Sequence, residues 1–250
     1  MKVYKIVFSP TGGTAKAADI LAKALGTDVN MIDLSKQSFK RYTLEKDSIA
    51  VIAAPSFGGR VPKTAIDRIH MVKGNDTKAV VMAVYGNREQ EDTLIELADA
   101  AKESGFEVIA GVSAVAEHSI AHQYATGRPD NKDAGQLKEF AKKILEKINN
   151  GSSAAPAIPG NHPYKKASAG MVPKATSACT NCGLCASKCP VGAIDKKDAK
   201  RTDKNACINC MRCVAACPQH ARTVNKLMEK MVGIALKKAC SVRKDNQLFI

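Results

Sequence analysis

Eight of the nine cysteines fall into two runs of one spacing, C-x-x-C-x-x-C-x-x-x-C-P. The first is Cys179, Cys182, Cys185, Cys189 and Pro190; the second, 28 residues on, is Cys207, Cys210, Cys213, Cys217 and Pro218. Three thiolates spaced three residues apart on a tight turn can cap three irons of one cubane, while the next cysteine already points away across a small domain. The spacing therefore assigns one 4Fe–4S cluster to Cys179, Cys182, Cys185 and Cys217, and the other to Cys207, Cys210, Cys213 and Cys189. The prolines after Cys189 and Cys217 fix φ and help turn the chain away from the site. Two zinc sites would need two separate tetrahedral sets, which this spacing suits poorly. Four disulfides suit an oxidising compartment, and no sequence feature indicates secretion. Cys240 falls outside both runs and reads as a free thiol with no ligand role.

A second chemistry sits near the start. The apolar run 3–8 ends in Ser9-Pro10-Thr11-Gly12-Gly13-Thr14, and an amphipathic helix follows with Ala15, Ala18, Ile20, Leu21, Ala24 and Leu25 expected on its buried side. Strand, hydroxyl- and glycine-rich turn, then helix is the layout of an anion site at a helix N-terminus. Backbone N–H groups and the hydroxyls of Ser9, Thr11 and Thr14 can converge on a phosphate there, and Gly12 and Gly13 permit close approach. The turn is neither G-x-x-x-x-G-K-S/T nor G-x-G-x-x-G. Taken alone, it could equally be a capped helix start.

The elements around these residues repeat a rhythm. Strands are expected at Asp28–Leu34, Ser48–Ala54, Lys78–Tyr85 and Phe106–Ala116. Helices are expected from about Lys63 to Val72, Glu89 to Ser104 and Asp133 to Asn149, the last with Leu137, Phe140, Ile144, Leu145 and Ile148 inward. Strands alternating with helices imply a parallel sheet covered on both faces. Ligands of such sheets sit at the carboxyl ends of the strands. The loops Pro55-Ser56-Phe57-Gly58-Gly59, Tyr85-Gly86-Asn87-Arg88 and Glu117-His118-Ser119 all follow strand ends, so they share one edge with the first turn. Phe57 and Tyr85 are candidates to flank an aromatic ligand, with core packing as the alternative for each.

On these residues, 1–149 resemble a flavodoxin, and the whole chain resembles the flavodoxin–ferredoxin fusions called EFR1-type ferredoxins. The first turn matches the T/S-x-T-G-x-T phosphate loop at Ser9, Thr11, Gly12 and Thr14, and departs at Gly13, where flavodoxins usually carry Asn. The resemblance implies an α/β, flavodoxin-like, doubly wound five-stranded parallel sheet of order 2-1-3-4-5 with a second, smaller α+β two-cluster ferredoxin domain. It implies FMN alongside two 4Fe–4S clusters. The FMN contacts would be Ser9, Thr11, Gly12, Gly13, Thr14, Pro55, Ser56, Phe57, Gly58, Gly59, Tyr85, Gly86, Asn87, Arg88 and His118. As in flavodoxins, the peptide at Phe57-Gly58-Gly59 would turn its carbonyl toward N5–H of reduced flavin. The expected boundaries are 1–149 for the FMN domain, 150–176 for a Pro-, Gly-, Ser- and Ala-rich linker, 177–224 for the ferredoxin domain, and 225–250 for a basic amphipathic helix and tail.

Composition bounds the rest. The 250 residues can hold one large domain and a small one. No uncharged apolar run approaches the roughly 18 residues of a membrane helix, and the reading is a cytoplasmic protein without a membrane span. Residues 1–150 are nearly balanced in charge, whereas 151–250 carry 17 Lys and Arg against 5 Asp and Glu. Two loaded clusters remove roughly 4 units of that excess, and what remains suits redox partners with acidic surfaces. Nucleic acid ranks last, because an aromatic content of 4% leaves little for base stacking. The favoured reading is a low-potential electron carrier of an oxygen-poor cytoplasm, working within one chain or across a homodimer. The alternatives are a ferredoxin-linked flavin reductase, with His118, Tyr124 or Arg88 as proton donors, and a sensor whose flavodoxin half is empty.

Overall fold

The computed structural model describes residues 2–152, 154–167 and 170–250. Its N-terminal part runs β1 (Lys2–Val7), α1 (Gly13–Leu25), β2 (Asp28–Asp33), β3 (Tyr42–Thr43), β4 (Ile49–Pro55), α2 (Lys63–Ile69), β5 (Val72–Lys73), β6 (Lys78–Tyr85), α3 (Thr93–Glu103), β7 (Glu107–Val115) and α4 (Asn131–Asn149). The cysteine-rich part adds β8 (Lys174–Ala175), α5 (Leu184–Lys188), α6 (Arg212–Ala215), β9 (Arg222–Thr223), α7 (Lys226–Cys240) and β10 (Gln247–Phe249).

Period-two alternation sorts the central strands' side chains onto two faces. Ile6 and Phe8, Ala50 and Ile52, and Val81 and Ala83 point toward α2 and α3, where Leu94, Leu97 and Ile69 meet them. Val3 and Val7, Val51 and Ala53, and Val80 and Met82 point toward α1 and α4, against Leu21, Leu25, Leu137 and Ile144. Because both faces are covered, the strands read as continuous apolar runs. Their exception is Lys5, which is buried on the α1 side and paired with Asp19 at 2.6 Å.

Five strands, β2-β1-β4-β6-β7, are parallel, and in their own chain order they read 2-1-3-4-5. That is the flavodoxin-like doubly wound arrangement. The sheet has a sixth strand, however. β10 pairs antiparallel with β7 through Gln247↔Ser113, Leu248↔Val112 and Phe249↔Gly111. The expected five-stranded sheet is thus extended by the chain's own C-terminus, which covers an edge that would otherwise be open.

Three further expectations shift. The buried stripe of α1 is Thr14, Ala17, Ala18, Leu21, Ala22 and Leu25, so Ala15, Ile20 and Ala24 lie at its flanks. α3 starts at Thr93 and not at Glu89, because residues 89–92 form a turn whose carboxylates bind elsewhere. α2 stops at Ile69, and Val72–Lys73 pairs in parallel with Tyr42–Thr43.

The segment after α4 does not stand clear of the domain. Ile158 packs against the α3 face of the core. Asp92 Oδ1 accepts from the Asn161 backbone and side-chain amides at 2.9 and 3.1 Å, and its Oδ2 accepts from Lys165 N–H at 2.7 Å. Asp99 accepts from the Tyr164 hydroxyl at 2.6 Å, while the Arg60 guanidinium lies 4.7 Å from the Tyr164 ring centre. Met1, Ser153, Ser168 and Ala169 lie outside the described residues.

The cysteine-rich part is an internal repeat, and its backbone repeats with its sequence. Residues 28 apart share left-handed torsions: Asn181 and Asn209 (φ 57° and 56°), Gly183 and Met211 (74° and 59°), Gly192 and His220 (67° and 48°). β8 and β9 close this unit antiparallel. Two arginines then join the parts. Arg68 donates to the Leu34 carbonyl and, at 2.7 Å, to the Pro190 carbonyl, while Arg212 reaches the Ser9 carbonyl at 3.4 Å.

Candidate functional site

The first turn is built as an open helix N-terminus. Gly12 caps α1 at φ 97°, a conformation that favours glycine, and no acidic residue occupies the first turn. Ser9 Oγ accepts from Ala15 N–H at 2.9 Å, and Ser9 N–H donates to Ser35 Oγ at 2.7 Å, so Ser9 shapes the loop from within. At Gly13 a Cβ would stand 3.0 Å from Ala116 Cβ. The side chain that the phosphate-loop pattern usually carries there has little room beside the end of β7.

Thr11, Gly13, Thr14, Pro55, Ser56, Phe57, Tyr85, Gly86 and His118 line one small cavity of about 70 Å³ at the carboxyl edge of the sheet. A larger one, of about 420 Å³, adjoins it and shares Ser56, Phe57, Tyr85, Gly86 and His118. Gly58, Gly59 and Arg88 line only the larger one. Gly58 and Gly59 (φ 60° and 86°) form a tight hairpin between Phe57 and Arg60, which bond each other across it. At Gly59 the left-handed torsion favours glycine, and a Cβ there would also push aside the ends of the Glu91 and Lys165 side chains.

Of the expected contacts, Asn87 is placed elsewhere, while Tyr85 and Arg88 line the cavities but are also engaged by other residues. Asn87 is 3% exposed and lines neither of these cavities. Its Nδ2 donates to the Cys240 and Val242 carbonyls at 2.8 and 2.9 Å, and its Oδ1 accepts from Lys244 N–H and Arg128, so it clamps the C-terminal tail. The Tyr85 ring is nearly buried with its phenol beside Ser113, and burial pushes that hydroxyl up to about 12. The ring still lines both cavities from its nearly buried position, and Phe57 is the more open, half-buried aromatic face of the site. The Tyr124 hydroxyl donates to the Gly233 carbonyl at 2.6 Å and holds α7, which removes it as a proton donor. Arg88 is engaged by both oxygens of Glu91.

His118 faces the cavities in one defined form. Its Nδ1 accepts the backbone N–H groups of Ile120 and Ala121 at 3.2 and 3.0 Å, so the neutral ring carries its proton on Nε2. Burial holds its pKa below 6.5. The absence of a Cβ at Gly86 gives the ring its place, since a methyl there would approach His118 Cδ2 to 2.5 Å.

Several wall residues could not be read from the first domain. Met171, Ile208, Asn209, Val232 and Leu236 close the large cavity, and Cys210 lines the small one. They come from the second cysteine run, from the segment before the first run and from α7. Lys165 joins the same wall, paired with Glu91 at 2.6 Å. A composition-based reading of 150–176 as linker carries no signal for such contacts.

The cysteines gather in two sets of four. One cavity is lined by Cys179, Cys182, Cys185 and Cys217, and another by Cys189, Cys207, Cys210 and Cys213. Each fourth cysteine has crossed to the opposite run. The donor set fits iron–sulfur chemistry further: Ala193 N–H points to Cys189 Sγ at 3.3 Å and Ala221 N–H to Cys217 Sγ at 3.2 Å, equivalent bonds 28 residues apart that favour thiolate. Burial raises the Cys210 and Cys213 thiols to about 11 and 12, so loading a cluster must displace protons. Cys182 is exposed, whereas Cys210 lines the small cavity of the first domain and Pro190, next to Cys189, accepts from Arg68. Cys240 is buried, its thiol directed at the Gly86 carbonyl.

Residues 178–222 match the family of 4Fe–4S dicluster domains. A search of curated proteins finds no match. Among solved structures, a flavodoxin of Streptococcus pneumonia TIGR4 is 21% identical with a TM-score of 0.42, covering 58% of this chain and 99% of that one. A flavodoxin from Archaea is 15% identical at 0.39, covering 60% and 99%. A Fusobacterium nucleatum flavodoxin bound to flavin mononucleotide is 10% identical at 0.35, covering 60% and 99%. Such scores add nothing to the sheet order, which shows the fold by itself. Among the described residues no helix is long and apolar enough to cross a membrane.

Proposed function

We propose that this chain is an electron-transfer flavo-iron–sulfur protein with FMN in the paired cavities and one 4Fe–4S cluster in each four-cysteine cavity. Flavin exchanges one or two electrons and a cubane one, so the pair joins two-electron donors to one-electron acceptors. Ser9, Thr11, Gly12, Gly13 and Thr14 would hold the phosphate, Phe57 and the Gly58–Gly59 hairpin the ring, and His118 would offer one Nε2–H donor. The cluster of Cys189, Cys207, Cys210 and Cys213 would be the flavin's neighbour, and that of Cys179, Cys182, Cys185 and Cys217 the outlet.

The observation that carries this reading is that Ile208, Asn209 and Cys210, inside the second cysteine run, are walls of the cavities of the first domain. It favours transfer within one chain over transfer across a dimer. Exposed Lys188, Lys196, Lys197, Lys200 and Arg201 follow the first ligands of the outlet cluster along the chain, and Asn181, between two of those ligands, donates to the Lys197 carbonyl, which suits a partner with an acidic surface. Anaerobically purified chain should contain about one flavin and about eight iron atoms. Colourless protein, or zinc without iron, refutes the proposal. The second reading, reduction of a small acceptor, draws on the size of the cavity and on His118 at its wall; steady turnover of such an acceptor by reduced ferredoxin would favour it.

A further inference from the structure

Each cysteine run continues past its proline with one equivalent residue: Cys189-Pro190-Val191-Gly192-Ala193-Ile194 and Cys217-Pro218-Gln219-His220-Ala221-Arg222. Ile194 is buried in the small core of its unit. Its counterpart is a guanidinium, 2% exposed. Arg222 Nη1 donates to Thr202 Oγ1 at 2.7 Å and to the Pro173 carbonyl at 3.3 Å, and Nη2 donates to the Ala199 carbonyl. All three acceptors are neutral, and Nε has no partner among the described residues.

A buried cation without an anion beside it is strongly disfavoured. This one lines the cavity of Cys179, Cys182, Cys185 and Cys217 and not that of Cys189, Cys207, Cys210 and Cys213, where Ile194 stands in its place. Four thiolates around an oxidised cubane core of about +2 leave each loaded cluster at about −2. We propose that Arg222 is the built-in counter-ion of the Cys179/Cys182/Cys185/Cys217 cluster, and that it raises the potential of this cluster above that of its neighbour. The sign follows from charge: reduction adds an electron, and a fixed cation in a low-dielectric site stabilises the more negative state. The outlet cluster then lies downhill from the flavin-side cluster, and an apolar residue in one repeat against arginine in the other is what makes the two unequal. This inference rests on the two-cluster reading.

The test is an anaerobic redox titration followed by EPR on the full loaded chain, comparing wild type, Arg222→Ile and Arg222→Lys. Arg222→Ile copies the residue already accommodated in the other repeat. The higher of the two cluster midpoints should fall toward the lower one in Arg222→Ile and move less in Arg222→Lys. An unchanged separation of midpoints in Arg222→Ile, with iron still at about eight per chain, overturns the inference and leaves the two-cluster reading standing. Wild-type chain without iron overturns both. If Arg222→Ile fails to retain iron, Arg222→Met, which keeps the length and drops the charge, is titrated on the same terms.

Discussion

Asn87 shows how one side chain can be assigned to the wrong task from its place in a loop. It follows a strand at the ligand edge, where ligand contacts gather, yet its four hydrogen bonds go to residues 128 and 240–244. The partners lie more than 150 residues away along the chain for all but Arg128, so no local pattern signals them. Asn87→Ala leaves two buried tail carbonyls without their donor. At about 1 kcal/mol for each carbonyl bond lost, and less for the longer bonds that Oδ1 accepts at 3.3 and 3.1 Å, the cost should be about 2–3 kcal/mol. For a chain of this size that lowers the melting temperature by about 5–10 °C, with flavin affinity nearly unchanged. A variant that melts like wild type and has lost flavin would restore Asn87 to the ligand site.

His118 carries a pH signature. Burial lowers its pKa from 6.5, so between that value and the folded one the unfolded chain binds the proton and the folded chain does not. Stability should therefore decline as pH falls below about 6.5, because folding must exclude a proton that the unfolded state accepts. Protonating Nδ1 would also break its two bonds to Ile120 and Ala121. Urea midpoints at pH 7.5 and pH 6 should converge in His118→Gln relative to wild type. Equal pH slopes in the two proteins would show that the ring is not held neutral. The cysteines contrast with both residues, because their crossed grouping was legible from spacing alone.

At the scale of elements, the long strands were legible because continuous Val, Ile and Ala runs permit little else in a two-sided sheet. β10 was not, since three residues, Gln247-Leu248-Phe249, give no period to read. Its position is fixed by Asn246, whose Oδ1 accepts Val115 N–H at 2.9 Å and whose Nδ2 reaches Gln136 and Asp133. Removing residues 246–250 uncovers the β7 edge and strips a donor–acceptor set from a buried site. The truncated chain should lose about 2–4 kcal/mol and self-associate in light scattering at rising concentration. A monomeric truncation with wild-type stability would mean that β10 contributes nothing to the sheet. The start of α3 was misplaced for a related reason: Glu91 and Asp92 fit a helical pattern but are used by Arg88, Lys165 and Asn161.

Across the whole molecule, fold class and cofactor chemistry could be read from two local signals, a phosphate-loop turn and a doubled cysteine run. The relation between the halves could not. It depends on Arg68 reaching Pro190, Arg212 reaching Ser9, and Asp92 and Asp99 fixing residues 161–165. These are single polar contacts across large sequence separations, and none alters composition or periodicity. Together they set the cavity of Cys189, Cys207, Cys210 and Cys213 against the ligand cavities and turn that of Cys179, Cys182, Cys185 and Cys217 outward. The lysine-rich surface is thereby left to the outer cluster, so raising the salt concentration should slow transfer to an acidic partner while leaving internal transfer unchanged.

The most direct measurement follows oxidation of photoreduced flavin by the clusters in anaerobic chain, over a range of protein concentrations, for wild type, Cys189→Ala and Cys217→Ala. The rate in wild type should be independent of concentration, abolished in Cys189→Ala and retained in Cys217→Ala. A rate proportional to concentration, or one lost in Cys217→Ala and kept in Cys189→Ala, would contradict an intrachain route through the flavin-side cluster.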